Sequence, residues 1–223
     1  MAGVVVFDLD GTLADTSGDL IAAANACFTA RGLPALLDPK GDALTAFHGG
    51  RAMLRAGYAR LPEGWLLPPD AEEQDYPRLL ENYGAAIATH TRLYPGVETA
   101  LERLAGQGHA LAVCTNKPEA LAETLLRELG IRETFASLIG ADTLPVRKPD
   151  PRPYQAAVIA ARPGARSFLI GDTETDRKTA AAAGVPVALV TFGPEGEAIA
   201  RLAPEALLHH FDDLPDLAAD WLT

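Results

Sequence analysis

The fold of this chain is decided by Gly3-Val4-Val5-Val6-Phe7 and by Asp8-Leu9-Asp10-Gly11-Thr12-Leu13, which follows directly. A short apolar run rich in β-branched residues predicts a buried strand. Side chains alternate along a strand, so Asp8 and Asp10 share one side while Leu9 faces the other. Gly11 then frees the backbone for a sharp turn.

Two neighbouring carboxylates at the end of a core strand repel each other, so a fold tolerates them there only with a compensating proton or cation. One interpretation is that Asp8 and Asp10 are a pair of Mg²⁺ ligands, one of which can also act as a nucleophile. The other interpretation is that they are loop aspartates that cap the next helix.

Length and charge narrow the classes of protein that fit. The chain has 223 residues, of which 48% are hydrophobic and 22% charged, so it should fold as one large domain or as one domain carrying a smaller one. Its formal net charge is −11, which makes nucleic acid and membrane surfaces poor candidate partners. A small anionic substrate would need local cations or a metal ion in its pocket.

The cysteines and the apolar runs indicate the compartment. Cys27 and Cys114 are far apart and have no metal-ligand spacing, so we expect reduced thiols buried in the core. Asp8 and Asp10 interrupt the early apolar run, which argues against a signal peptide. No apolar run approaches the ~20 residues that span a bilayer, so we expect a cytoplasmic protein that does not bind membranes.

Strands alternate with helices over most of the chain, which predicts an α/β fold with a parallel sheet and helices on both faces. The predicted strands are Gly3–Phe7, Ala110–Cys114, Ser137–Gly140, Ser167–Gly171, Val185–Val190 and a weak sixth at Ala206–His209. The predicted helices of this part are Asp19–Arg31, Val97–Gln107, Pro118–Leu129, Pro151–Arg162, an Ala-rich helix closed by Gly184, and Leu214–Leu222.

The segment between Gly32 and Leu93 differs from the rest of the chain in its sequence pattern, because it contains no run typical of a β-strand. Helical patterns occur near Asp42–Phe47, Arg51–Leu61 and Glu72–Thr89, and Gly- and Pro-rich turns separate them. This segment is predicted to be a small all-helical insert.

Polar clusters follow the predicted strands at their carboxyl ends, which is where parallel sheets bind ligands. These clusters are Asp8 with Asp10, Thr115 with Asn116, Lys148, and Asp172 with Asp176. Four clusters that converge on one edge of a sheet point to a binding site more strongly than any one of them.

The convergent side chains suit the chemistry of phosphate esters. The carboxylates of Asp8 and Asp172 suit Mg²⁺, which prefers oxygen ligands. Lys148, Thr115 and the backbone N–H groups near Asn116 suit the oxygens of a phosphoryl group. Within such a site a carboxylate of the first pair can attack phosphorus, and its neighbour can carry a proton to the leaving oxygen.

These motifs resemble those of the haloacid dehalogenase-like hydrolase superfamily, in its phosphoglycolate phosphatase-like branch. The family's Asp-x-Asp-x-Thr motif matches Asp8-Leu9-Asp10-Gly11-Thr12, and its second motif, a Thr or Ser after a strand, matches Thr115. Its third motif, a Lys that is often followed by Pro, matches Lys148-Pro149. Its fourth motif, Gly-Asp-Ser/Thr-x-x-Asp, matches Gly171-Asp172-Thr173-Glu174-Thr175-Asp176. All four occur in the family's order.

The resemblance covers essentially the whole chain and implies two domains. A Rossmann-like core of residues 1–14 and 93–223 would carry the motifs, and residues 15–92 would form a helical cap domain. The family's cap closes over the site and excludes bulky substrates, which leaves small phosphorylated metabolites as the expected partners.

The resemblance also implies a role for each matching residue. Asp8 would be the nucleophile and a metal ligand, and Asp10 would be the general acid and base and would lend Mg²⁺ its backbone carbonyl. Asp172 would bind the metal, and Asp176 would support either the metal waters or Lys148. The residues expected to hold the phosphoryl group are Thr115, Asn116 and Lys148.

Substrate specificity is expected to come from the insert. A substrate carboxylate would want a fixed cation, and Arg51, which follows the flexible Gly49-Gly50 turn, is the best candidate, with Arg55 one turn further on.

The function that the resemblance implies is a Mg²⁺-dependent phosphatase for a small phosphate monoester, with 2-phosphoglycolate the most typical substrate. A sugar-phosphate mutase of the β-phosphoglucomutase type shares Asp8 and Asp10 and stays open as an alternative. A non-enzymatic receiver-type module also uses Asp, Mg²⁺, Thr and Lys, although its phospho-accepting Asp follows a later strand. A dehalogenase is disfavoured because that branch lacks the second aspartate, which here is Asp10.

Overall fold

The computed structural model describes residues 2–61 and 64–222, and the chain divides into two compact units. The core unit comprises Met1–Asp15 and Arg92–Thr223, and the helical unit comprises Thr16–Thr91. The boundaries predicted from the sequence lie after residues 14 and 92, and those of the two compact units lie after Asp15 and Thr91.

The core unit contains a six-stranded sheet and a separate two-stranded one. The strands are β1 (Val4–Phe7), β2 (Ala14–Asp15), β3 (Arg92–Leu93), β4 (Ala110–Cys114), β5 (Ser137–Ile139), β6 (Ser167–Gly171), β7 (Val187–Val190) and β8 (Ala206–Leu208). The helices among the described residues are α1 (Ser17–Ala30), α2 (Ala43–Phe47), α3 (Gly50–Tyr58), α4 (Ala71–Ala85), α5 (Val97–Gly106), α6 (Glu119–Glu128), α7 (Pro151–Ala161), α8 (Glu174–Ala183) and α9 (Leu214–Leu222). Short 3-10 helices cover Arg132–Thr134, Gly196–Leu202 and Phe211–Asp213.

The large sheet has the order β5-β4-β1-β6-β7-β8, and all its strand pairs are parallel. All four residues of β1 are fully buried, as expected for a central parallel strand covered on both faces. Phe7 is in register with Val113 of β4 and Ile170 of β6, so the residues just beyond these three strands lie side by side. The predicted α/β fold class is confirmed.

Two helix ends in the core unit carry capping groups. The Asp150 side chain accepts a hydrogen bond of 3.0 Å from the Arg152 backbone N–H, and Pro151 is the first residue of α7. Gly184 follows α8 in the left-handed conformation, with φ at 70°. These caps fix where both helices meet the sheet.

A short antiparallel pair was not predicted. β2 pairs with β3 through Ala14 opposite Leu93 and Asp15 opposite Arg92, at the two points where the core unit continues into the helical unit. Strands of two residues are too short to produce a periodic sequence pattern, so the sequence gives no sign of them.

A buried carboxylate joins the helices of the helical unit. Asp75 of α4 is fully buried, and its Oδ2 lies 2.5 Å from Arg31 Nε, just beyond α1. The Tyr58 hydroxyl of α3 donates a short hydrogen bond to the same oxygen. Among the residues that the structure describes, all regular secondary structure of this unit is helical, as the sequence predicts for the insert.

Both cysteines are free and buried, as predicted. Burial raises the pKa of Cys27 to about 11 and that of Cys114 to about 12. Both therefore remain protonated near neutral pH and are poor nucleophiles. Among the described residues, we find no helix with the length and apolar character needed to cross a membrane.

Candidate active site

Asp8 is the first residue after the central strand β1, and one of its carboxylate oxygens is held on two sides. Its Oδ1 accepts a hydrogen bond of 2.8 Å from the Leu9 backbone N–H and lies 3.0 Å from Lys148 Nζ. No hydrogen bond to Asp8 Oδ2 is present among residues 2–61 and 64–222. The carboxylate is therefore fixed in direction while one oxygen keeps its lone pairs available.

Lys148 lies between two carboxylates in the interior of the core unit. Its Nζ is 3.0 Å from Asp8 Oδ1 and 2.6 Å from Asp176 Oδ1, and its side chain is 1% exposed. Burial alone would lower the pKa of this lysine, but the attraction of Asp176 and Asp8 outweighs it and the net pKa is raised above 10.5. Lys148 is therefore a permanent cation beside Asp8.

Asp176 of α8 uses both of its oxygens within the protein. Its Oδ1 binds Lys148, and its Oδ2 accepts hydrogen bonds from the Thr173 backbone N–H at 3.1 Å and the Thr173 hydroxyl at 2.7 Å. Of the two supporting roles that the sequence suggests for Asp176, its contacts favour the support of Lys148.

Asp172 follows β6 and has one satisfied and one unsatisfied oxygen. The Thr12 hydroxyl donates a hydrogen bond of 2.9 Å to Asp172 Oδ1. Asp172 Oδ2 is buried and has no hydrogen-bond partner among the residues that the structure describes. Because an unpaired buried carboxylate oxygen is costly, this atom needs a further ligand.

The donors around Asp172 fit a divalent cation. Oxygens of Asp8, Asp172 and Asp176 lie within 4.8 Å of one another. A cation there would give Asp172 Oδ2 a partner and would relieve the repulsion between the carboxylates. Since Asp176 already binds Lys148 and Thr173, Asp8 and Asp172 are the side chains best placed to be ligands.

Burial and the neighbouring carboxylates shift the pKa values of Asp8 and Asp172. Burial raises the pKa of Asp8 to about 6; Lys148 opposes this, while Asp176 and Asp10 add to it by repulsion. Burial raises the pKa of Asp172 well above 3.8, and repulsion from Asp176 and Asp8 adds to the effect. Without a cation, both carboxyl groups therefore bind a proton more tightly than an exposed aspartate does.

Asp10 lies beyond Asp8 in the turn that leaves β1, and it has a partner that the sequence interpretation missed. Its Oδ1 is 2.6 Å from Lys117 Nζ, and the side chains are 19% and 4% exposed, respectively. The charge balance at the predicted edge of the sheet was a signal for a second cation, because that edge held four carboxylates and a single lysine. Lys117 follows Thr115 by only two residues and could supply this cation.

Thr115 and Asn116 follow β4 directly, beside the end of β1. Thr115 is buried, and its hydroxyl oxygen accepts a hydrogen bond of 3.2 Å from the Lys117 backbone N–H. The Asn116 side chain donates a hydrogen bond of 3.0 Å to the Lys148 backbone carbonyl. The Asn116 amide thus holds the loop that carries Lys148.

Arg51 of α3, the residue expected to set specificity, lies in an exposed cluster of the helical unit. Its Nη1 is 3.3 Å from Glu72 Oε1 and 3.6 Å from Glu73 Oε1, and its guanidinium carbon lies 4.4 Å from the centre of the Tyr76 ring. Arg55 binds the same Glu72 at 2.6 Å. Within this unit the charge of Arg51 is already balanced by carboxylates.

Comparison with known proteins agrees with this geometry. The family model for "Haloacid dehalogenase-like hydrolase" matches residues 5–190. A phosphoglycolate phosphatase of Mesorhizobium japonicum is 38% identical over 214 residues, which cover 95% of this chain and 92% of that protein. One from Cereibacter sphaeroides is 38% identical and covers 96% of each chain.

Solved structures give the same result. The crystal structure of a predicted phosphoglycolate phosphatase from Haemophilus somnus has a TM-score of 0.85 at 27% identity, covering 97% of this chain and 98% of that one. The structure of CbbY from Rhodobacter sphaeroides in complex with phosphate has a TM-score of 0.77 at 25% identity, covering 96% of each.

The chain belongs to the haloacid dehalogenase-like hydrolase family. Within that family it is a phosphoric monoester hydrolase similar to the phosphoglycolate phosphatases, as the sequence motifs predict.

Proposed function

We propose that the protein is a Mg²⁺-dependent phosphatase that hydrolyses a small phosphate monoester through an aspartyl-phosphate on Asp8. The observation that carries the proposal is the arrangement of Asp8, whose Oδ1 is held by Lys148 and the Leu9 N–H while Oδ2 keeps its lone pairs. A nucleophile needs this combination of a fixed direction and an available electron pair.

The reaction would proceed in two displacements at phosphorus. In the first, Asp8 Oδ2 forms a bond to phosphorus, the bond to the ester oxygen breaks, and Asp10 gives that oxygen a proton. In the second, Asp10 takes a proton from water, the water oxygen attacks phosphorus, and the bond to Asp8 breaks. Inorganic phosphate leaves, and both aspartates return to their starting states.

Cations and donors of the core unit would hold the transferring group. Lys148 and the Thr115 hydroxyl would bind phosphoryl oxygens, together with backbone N–H groups near Asn116. Bound Mg²⁺, held by Asp8, Asp172 and the Asp10 backbone carbonyl, would offset the negative charge of the carboxylates and the phosphoryl group.

The relatives suggest the substrate class. Those at 38% identity are named phosphoglycolate phosphatases, and CbbY was crystallised with phosphate. We therefore propose a small phosphorylated metabolite, with 2-phosphoglycolate the first compound to test. We further propose Arg51 as the residue that attracts the substrate carboxylate, in competition with Glu72 and Glu73.

The test is phosphate release from a panel containing 2-phosphoglycolate, sugar phosphates and nucleoside monophosphates, each with Mg²⁺ and with a chelator. Release should require Mg²⁺ and should disappear in Asp8→Asn but persist in Asp216→Asn, which changes an aspartate that is 88% exposed. Acid quenching during turnover should trap phosphate on the wild-type protein and not on Asp8→Asn.

Two results would contradict the proposal. Release that persists in Asp8→Asn would remove Asp8 as the nucleophile. Transfer of phosphate between positions of a sugar phosphate, without release, would favour the mutase instead.

A further inference from the structure

We propose that Lys117 is a positioning residue that holds the carboxylate of Asp10 in place for proton transfer. The inference rests on the proposed function, because it assumes that Asp10 carries the proton. Its basis is the 2.6 Å contact between Lys117 Nζ and Asp10 Oδ1, two groups that lie 107 residues apart in the chain.

This contact differs from an ordinary surface ion pair. The Lys117 side chain is 4% exposed, whereas exposed pairs such as Lys178 with Glu174 leave 57% and 59% of their side chains in water. Exposed pairs contribute little because solvent screens them and both side chains stay mobile. A buried ammonium in a charge-assisted hydrogen bond restricts its partner much more strongly.

The backbone of Lys117 is itself fixed. Its N–H donates to the Thr115 hydroxyl oxygen at 3.2 Å, and its carbonyl accepts from the Ala141 N–H at 2.9 Å. Pro118 follows as the residue that precedes α6. The ammonium is therefore presented from an anchored loop, and that loop also carries Thr115, a proposed phosphate-binding residue.

Asp10 has particular need of such support. It lies in the turn after β1, where Gly11 has a φ of 81°, and its side chain is 19% exposed. A proton donor must come within about 2.6–3.2 Å of the atom that it protonates. A displacement of about 1 Å in such a group can lower a rate by about 100-fold.

Substrates with different leaving groups can distinguish a positioning role of Lys117 from a general structural role. An alkoxide needs a proton from Asp10 as it leaves, whereas p-nitrophenolate is a stable anion that leaves without one. The ratio kcat/KM reports the steps up to loss of the leaving group. A misplaced Asp10 should therefore lower kcat/KM for an alkyl phosphate far more than for p-nitrophenyl phosphate.

The experiment compares Lys117→Met, Lys117→Arg, Asp10→Asn and the double variant Lys117→Met/Asp10→Asn, with Lys178→Met as the matched lysine control. We expect Lys117→Met to lower kcat/KM for 2-phosphoglycolate by about 100-fold, with a much smaller loss on p-nitrophenyl phosphate. Lys117→Arg should recover most of the loss, and Lys178→Met should behave as the wild type. In the Asp10→Asn background, Lys117→Met should have no further effect.

Several outcomes would overturn the inference. These are wild-type kinetics in Lys117→Met, equal losses on both substrates, or losses that multiply in the double variant. Circular dichroism would report folding, and Lys117→Gln replaces Lys117→Met in each comparison if the latter does not fold.

Failure of the inference and failure of the proposed function can be told apart. A wild type that releases no phosphate overturns the proposed function, and the inference falls with it. An Asp10→Asn variant with full activity on 2-phosphoglycolate overturns the proton-carrying role of Asp10 and the inference, but leaves Asp8 as the nucleophile. An active wild type, an impaired Asp10→Asn and an unimpaired Lys117→Met overturn only the role of Lys117.

Discussion

Gly171 lies so close to Asp176 that a Cβ atom on Gly171 would be 2.7 Å from Asp176 Oδ2 and closer still to Asp176 Cβ and Cγ. The other oxygen of Asp176 binds Lys148 at 2.6 Å. Because Gly171 has no side chain, Asp176 of α8 can pack against the end of β6 and still reach Lys148 with its other oxygen. The position of Lys148 beside Asp8 depends in this way on a glycine that is not itself a ligand.

Gly171→Ala should impair both folding and catalysis. The added methyl group must displace Asp176, and overpacking of this kind costs about 1–3 kcal/mol of unfolding free energy. Lys148 should move with Asp176, so kcat/KM for the preferred phosphate ester should fall by at least about tenfold. Urea unfolding and steady-state kinetics measure the two effects.

Gly106→Ala is the matched control for this substitution, because a Cβ on Gly106 at the end of α5 would meet nothing within 4 Å. It should leave activity unchanged. Full activity and stability in Gly171→Ala would show that Asp176 does not need its close approach to the strand.

Thr12→Val tests how Asp172 is oriented. The Thr12 hydroxyl donates to Asp172 Oδ1 at 2.9 Å, and valine keeps the branched shape while removing the donor. Loss of a hydrogen bond that orients a metal ligand typically weakens metal binding by about 10–100-fold. Isothermal titration with Mg²⁺ should show this loss in Thr12→Val.

The control is Thr124→Val on α6. Among the described residues, the Thr124 hydroxyl bonds only to a carbonyl of its own helix, that of Ala120. Equal Mg²⁺ affinities in wild type and Thr12→Val would mean that Asp172 is oriented without Thr12.

The secondary structure and sheet type of most of the core unit could be predicted from the sequence. Hydrophobic patterns identify its strands and helices, and their alternation along the chain implies a parallel sheet. A run such as Val4–Phe7 identifies a buried parallel strand, and the carboxyl ends of such strands share one edge of the sheet. Asp8, Thr115 and Asp172 could therefore be brought together without any knowledge of side-chain contacts.

Contacts between distant side chains could not be predicted in this way. Thr12 and Asp172 are 160 residues apart, and nothing in the local pattern at either position specifies the other. The same is true of Asp75. An acidic residue on an amphipathic helix is expected to face solvent, but Asp75 is buried against Arg31 and Tyr58. Burial of a polar residue depends on which helices pack together, and helical periodicity does not specify that.

The raised pKa of Asp8 predicts how stability depends on pH without metal. A carboxyl whose pKa rises from 3.8 to about 6 on folding binds its proton more tightly in the folded state. The free energy of unfolding should therefore fall as pH rises through this interval. Each pKa unit corresponds to about 1.4 kcal/mol, so the loss is at most about 3 kcal/mol.

Asp8→Asn lacks this titration, so its stability relative to the wild type should increase between pH 4 and about 6 and stay level above that. Urea unfolding in a chelator measures the difference. Asp150→Asn is the control, because Arg152 holds the pKa of Asp150 at about 2 and its effect lies below this interval. A difference between Asp8→Asn and wild type that does not change with pH would contradict the raised pKa.

Gly57→Ala should destabilise the helical unit, although alanine is the better helix former. Helix propensity alone favours the substitution in α3 by about 1 kcal/mol. A Cβ on Gly57, however, would lie 2.6 Å from Cε2 of Phe28 and closer still to its Cζ, and Phe28 is fully buried against the Tyr58 ring.

Overpacking typically costs about 1–3 kcal/mol, so the clash with Phe28 should outweigh the gain in propensity and lower the free energy of unfolding. Phe28→Leu shortens the facing side chain and is itself destabilising, but Gly57→Ala should cost less in that background than in the wild type. Denaturant unfolding of the four proteins gives this coupling. A stabilising Gly57→Ala in the wild-type background would show that α1 and α3 can separate at no cost, which the buried contact between Phe28 and Tyr58 argues against.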